Sequence, residues 1–211
     1  MTDIQNKVDS VFDLLDRNSP EKIDFLRFNN AFELLISVIL SAQTTDNQVN
    51  KVTETLFETY PTPSCLAAAE VEDVEEIIRS TGFFKRKAKH IIAASGALVD
   101  RFDSSVPLEM KDLITIPGVG RKSANVIIGR IAHKGAVIVD THFMRVVNRL
   151  GIVDSSDPLV IEMTIKELLA ENKQYRFSMV VNLHGRRVCF ARTPSCDTCI
   201  LSGYCDYIVT S

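Results

Sequence analysis

The stretch Ala31–Ser41, AFELLISVILS, is apolar nearly all the way round a helix. A helix with no polar face must be wrapped by other elements, so this segment commits the chain to a core built around one central helix. The rest of the pattern agrees. Residues 6–16 set Val8, Val11, Phe12 and Leu15 on one helical face. Thr45 to Gln48 has capping-box spacing and opens a helix with Val49, Val52 and Leu56 on one side. One helix is predicted from about Leu66 to Arg79, stopping at Gly82, and another from near Lys85, with Ala88, Ile91, Ile92 and Leu98 inward. Pro107 suits the first turn of a short helix ending before Pro117, and the next runs to about His133. After the extended GAVIVD, Asp140 is placed to cap a helix over 141–150 that closes at Gly151. Asp157-Pro158 opens another, and 174–188 is the last long one. No run alternates as a half-buried strand would, and no repeat or linker interrupts the pattern. The expected class is all-α, with ten or so helices.

A chain of 211 residues can bury one large core or two modest ones. Its first twenty residues carry acids throughout and no apolar stretch of the kind a secretory leader needs. The longest apolar run, Leu34 to Leu40 broken only by Ser37, is too short to span a bilayer. A cytoplasmic location is expected, and in that reducing compartment five cysteines argue against a disulfide framework. A net charge of −3 does not advertise a nucleic-acid binder, but it hides an asymmetry. Residues 1–80 hold 6 Lys/Arg against 15 Asp/Glu, whereas residues 81–211 hold 18 against 12. A basic face on an acidic protein can still take a polyanion.

Within the basic part, LITIPGVGRKSANVII joins two helix-like segments through Pro117-Gly118-Val119-Gly120 and then places Arg121 and Lys122 at a helix start. Gly118 and Gly120 permit positive φ and close approach. Successive amides in such a turn make a concavity for anions, to which the next helix adds its N-terminal donors. A helix-hairpin-helix that grips one DNA strand by its phosphates has this form, and so does a plain turn that binds nothing. The helix dipole and Arg121 both disfavour an ammonium at Lys122, which enlarges its neutral, nucleophilic fraction. A solvated phosphate contact is the simpler role. Eighteen residues on, an N-cap carboxylate at Asp140 accepts backbone N–H bonds and stays ionised. It could stabilise a cationic sugar, or it could only cap.

The C-terminus reads Cys189-x6-Cys196-x2-Cys199-x5-Cys205. Four cysteines in seventeen residues predict a shared metal site. Zinc favours two close pairs and only one is present, so spacing leaves an iron–sulfur cluster and zinc both open. Cys65, in PTPSCLAAA, is expected to be a free, partly buried thiol.

The hairpin, Lys122, Asp140 and the cysteine tail, in that order, closely resemble the endonuclease III family. The likeness runs through FELLISVILSAQTTD, TGFFKRKAKHI, IPGVGRKSANVII, VDTHFMRVVNRLG and LHGRRVCFAR to the four cysteines, nearly the whole chain. It implies a bifunctional DNA glycosylase/AP lyase of base-excision repair that removes oxidised pyrimidines from double-stranded DNA and cleaves abasic sites. It also implies two helical domains with the DNA cleft between them. Residues 24–134 would form the six-helix domain, and 1–23 plus 135–211 the domain holding a [4Fe-4S] cluster on Cys189, Cys196, Cys199 and Cys205. Lys122 would be the nucleophile and Asp140 its electrostatic partner. Gln43 would fill the gap left by a flipped base, and Phe83 would stand where the family commonly inserts leucine. Gly118, Gly120, Arg121, Arg186 and Arg192 would meet DNA, helped by Arg187 and the KRKAKH run from Lys85 to His90. A nucleoid-associated cytoplasmic monomer with no membrane contact is the expected setting.

Two alternatives have distinguishable marks. Related adenine glycosylases carry a glutamate on the first buried helix and lack the hairpin lysine; here Val38 and Lys122 stand at those places. A non-catalytic DNA-binding module with structural zinc would form no covalent adduct with DNA. One departure from the family concerns charge. The loop often reads as a basic ARKPRC-like run, whereas here it is ARTPSC, Ala191 to Cys196, followed by Asp197.

Overall fold

The all-round apolar segment becomes the helix Ala31–Leu40, with Leu35, Ile36 and Leu40 fully buried in a computed structural model that describes residues 3–210. Asn30 caps it by accepting from the Glu33 N–H at 2.9 Å, and Glu33 reaches back to the Asn29 N–H at 2.7 Å. In chain order the helices are α1 Asp3–Arg17, α2 Ala31–Leu40, α3 Asp46–Thr59, α4 Pro63–Ala67, α5 Val71–Ile78 and α6 Phe84–Arg101. They continue with α7 Met110–Leu113, α8 Arg121–Ile127, α9 Thr141–Arg149, α10 Pro158–Leu168, α11 Glu171–Arg187 and α12 Asp206–Thr210. Among the described residues there is no strand. No described helix is long and apolar enough to cross a membrane.

The chain divides into two compact units, Asp24–Ala132 and Met1–Ile23 with His133–Ser211. In the first, α3, α6 and α8 pack on α2, while α4 and α5 lie on α6. The predicted single helix 66–79 is instead two, α4 and α5, broken at Ala68–Glu70. On one straight helix, Leu66 would point roughly 80–120° away from Val74 and Ile78, at 3.6 residues per turn. The break lets all three be fully buried. Pro107 precedes the short helix rather than opening it, since α7 starts at Met110 with Glu109 as its cap. α8 passes into a π-helical turn, Ile128–Ala132.

The second unit joins the two ends of the chain. Phe177 of α11 meets Phe12 of α1 at 6.1 Å and Phe143 of α9 at 5.9 Å, both edge to face. Arg176 donates to Asp16 at 2.6 Å and to the carbonyls of Pro20 and Glu21. The buried extended run Ala136–Val139 leads into α9.

Candidate nucleic-acid interface and iron–sulfur loop

The turn between α7 and α8 is anchored by Ile116 and Val119, both buried. Gly118 adopts φ +82°, and a Cβ there would meet Ile39 at 3.0 Å and His90 at 3.2 Å. Gly120 does not use the positive φ open to it. It is extended, with φ −96° and ψ 176°, because it serves as the N-cap residue of α8 and accepts from the Ala124 N–H at 2.9 Å. No neighbour lies within 4 Å of where its Cβ would stand, so the backbone there is open to an outside group. Arg121 and Lys122 follow, both exposed in the first turn of α8.

In the same unit Gln43 and Phe83 are exposed, and both are non-glycine residues in the left-handed region, at φ 53° and 49°. That conformation costs roughly 1–2 kcal/mol per residue, so the surroundings must hold it. Lys87 does much of the holding. Its amine donates to Thr44 Oγ1 at 2.5 Å and to the Thr81 carbonyl at 2.8 Å, and the Thr44 hydroxyl donates to that same carbonyl. Gln48 Nε2 bonds Ser80 Oγ at 2.5 Å. The Gln43 loop and the Phe83 loop are thus fastened together. Lys87 is only 4% exposed, which removes it from the basic KRKAKH surface expected from sequence. Burial, and then the charge of Arg86, hold its amine below the usual lysine pKa. Arg86 lies over the Phe83 ring at 5.4 Å. Cys65 is exposed on the outer side of α4 rather than partly buried, because Leu66 takes the inward position.

In the other unit Asp140 caps α9. Its Oδ1 accepts from the His142 and Phe143 N–H groups, both at 2.9 Å. Its Oδ2 accepts from Asn182 Nδ2, and Asn182 Oδ1 in turn accepts from Arg186 Nε at 2.7 Å. α11 comes this close to α9 because Gly185 faces it. A Cβ there would stand 3.0 Å from His142 Cβ and 3.1 Å from the His142 carbonyl. Asn182 was not singled out by sequence reading. The only signal was a lone amide within the apolar run of α11. Arg186, expected at DNA, turns its Nε to Asn182, while Arg187 and Arg192 are exposed.

Cys189, Cys196, Cys199 and Cys205 line one cavity with Arg149 and His184. Among the described residues no three His, Cys, Asp or Glu side chains close on a single metal ion. Four cysteine thiols lining one cavity match in number the ligands that an iron–sulfur cluster takes. Burial pushes the Cys199 thiol up, a hydrogen bond from the Leu201 backbone offsets part of this, and Cys189, Cys205 and Cys196 add to the rise. As thiolates, four sulfurs on one cavity would repel one another unless a cationic group lay among them. Arg149 already contributes, donating to Cys189 Sγ at 3.2 Å and to the Phe190 and Ala191 carbonyls at 2.7 and 2.9 Å. Arg145 ties the same loop by donating to the Cys189 carbonyl at 3.0 Å and the Gly185 carbonyl at 2.8 Å. These residues fit an iron–sulfur cluster.

Residues 36–171 match the profile of the HhH-GPD superfamily of base-excision DNA repair proteins, and residues 189–205 match the iron–sulfur binding domain of endonuclease III. Endonuclease III of Rickettsia conorii is 40% identical over 200 residues, covering 95% of each chain. That of Synechocystis sp. is 43% identical over 181 residues, 85% of this chain and 83% of its own. A solved non-covalent endonuclease III–DNA complex superposes with a TM-score of 0.93 at 36% identity, covering 100% of this chain and 98% of that one. The chain belongs to the endonuclease III family within that superfamily. It is a DNA-binding glycosylase with AP lyase activity of base-excision repair, carrying a [4Fe-4S] cluster.

Proposed function

We propose that this enzyme removes oxidised or saturated pyrimidines from duplex DNA, acting as a nucleoid-associated cytoplasmic monomer, with Lys122 as nucleophile and Asp140 as its electrostatic partner. The observation that carries this reading is Lys122 itself, exposed in the first turn of α8 directly behind the Gly118 turn. The target base must leave the stack, since its glycosidic bond is out of reach inside the duplex. The Lys122 Nζ lone pair then bonds to the anomeric carbon as the C–N bond to the base breaks. The base leaves with that electron pair and takes up a proton. Asp140, held in place by its cap bonds, stabilises the cationic sugar. The nitrogen lone pair then opens the sugar ring by breaking the C1′–O4′ bond, and O4′ takes up a proton. The resulting protonated Schiff base is an electron sink, so loss of the C2′ proton expels the 3′ phosphate by β-elimination. Gln43 fills the gap in the duplex and Phe83 wedges beside it. Exposed Arg121, the Gly118–Gly120 turn, Arg187 and Arg192 hold phosphates.

Cys189, Cys196, Cys199 and Cys205 would hold the cluster. When bound, it would bond to the four thiolates and cross-link the loop they belong to. Borohydride treatment during turnover tests the reading as a whole. A covalent protein–DNA adduct is expected with lesion-containing duplex, and its absence would remove the amine mechanism. A panel of duplexes, each with one lesion, identifies the base.

Asp140→Asn is expected to slow base release by roughly 100-fold, in the range of electrostatic partners lost from active sites. It should leave partial cleavage at pre-formed abasic sites, where the sugar aldehyde meets the amine unaided. Base release at the wild-type rate would reduce Asp140 to a cap.

Thr193 and Ser195 are exposed in the cluster loop where relatives often carry positive charge. Each lost phosphate contact lowers the slope of log K against log salt by roughly 0.9. Undamaged duplex should therefore bind weakly and with a shallow slope. A salt titration beside Thr193→Lys/Ser195→Arg should show the slope steepen; an unchanged slope would mean that this loop does not face DNA.

A further inference from the structure

We infer that Asn182 and Arg186 are positioning residues for Asp140, and that Arg186 serves the reaction through this relay rather than as a DNA phosphate contact; the inference rests on the role proposed for Asp140. The amide orientation is fixed by chemistry. A carboxylate only accepts and a guanidinium only donates, so Asn182 must turn its NH2 to Asp140 and its oxygen to Arg186, as it does. Asn182 is 5% exposed, so an apolar residue would be the ordinary occupant of its place on α11. Its amide answers to both neighbours at once. With two backbone N–H groups on Oδ1 and the amide on Oδ2, the Asp140 carboxylate has three donors from two different helices. It cannot rotate about its cap without breaking one of them.

The spacer also matters electrostatically. A guanidinium pressed directly on Asp140 would form a bidentate ion pair and use up the negative charge that a sugar cation needs. Placed one amide away, Arg186 fixes the donor that fixes the carboxylate, while the carboxylate keeps its charge. Gly185 makes the relay possible, since any larger residue there would hold α11 off α9.

The test uses the full chain with its cluster and two variants, Asn182→Leu and Arg186→Gln, in single-turnover base release, equilibrium binding to lesion duplex and salt titration. A misplaced reacting group costs up to about 100-fold. Both variants should therefore lose roughly 10- to 100-fold in base release while keeping duplex affinity, salt slope, thermal midpoint and brown colour. Wild-type base release in either folded variant overturns the proposal. So does an Arg186→Gln protein with an unchanged rate and a salt slope lower by about 0.9, the mark of a lost phosphate contact. Should Asn182→Leu fail to fold, the paired rate and slope of Arg186→Gln decide. Asp140→Asn separates the two levels. If it is slow and both relay variants are fast, only the relay fails; if it is fast, the role of Asp140 fails and the relay with it.

Discussion

Lys122→Gln is expected to abolish base release and strand cleavage together, each by more than roughly 10,000-fold, as happens when a nucleophile that acts as one unit with its site is removed. The amide has no available lone pair of comparable basicity, so neither the attack on the sugar nor the Schiff base can form. Borohydride trapping should vanish in parallel. Affinity for lesion duplex should change little, because one exposed contact among several is lost. The two activities falling together is the informative part. A variant that still released bases but did not nick would place the lysine only in the second step, and another group would have to make the first attack.

Replacing any one of Cys189, Cys196, Cys199 and Cys205 by Ala comes next in expected size. The four share one cavity, and besides the hydrogen bonds from Arg145 and Arg149 the loop 189–205 has short 3-10 turns, at Cys196–Thr198 and Ser202–Tyr204, to hold it in shape. Structural metal sites commonly contribute on the order of 10 kcal/mol of folding free energy, more than the loop's own turns can supply. The protein should lose its brown colour, iron content and thermal midpoint together, and with them most of its DNA affinity. The lysine chemistry as derived uses no electron from the cluster. A colourless, folded protein with full activity would show that the cluster is not needed to hold this loop.

Local signals were legible. Thr45, Asp140 and Asp157 were read as caps because an N-cap needs only its own next three residues, and each accepts the expected N–H. The four inward residues of α1 followed from period alone. What escaped was set by distance or by backbone sign. Lys87 looked like one more charge in a basic run, and only its contacts with Thr44 and Thr81 show it is structural. Asn182 gains its meaning from Asp140, 42 positions earlier. The left-handed backbone at Gln43 and Phe83 was hidden because positive φ is expected of glycine, and the surrounding bonds override that preference. At the hairpin both glycines permit positive φ, and of the two Gly118 adopts it.

The pairing of α1 with α11 sets an order of events during synthesis. Asp16 and Arg176 are 160 positions apart, and the stretch between them includes the whole of Asp24–Ala132. At about 5–20 residues per second, α1 waits on the order of 10–30 s for its partner. Through that interval Val8, Val11, Phe12 and Leu15 have no α11 to cover them, whereas the contiguous unit closes on residues already made. The cysteines emerge later still, at 189–205. The contiguous unit can therefore close before the cysteines are made, with α1 left to wait for α11.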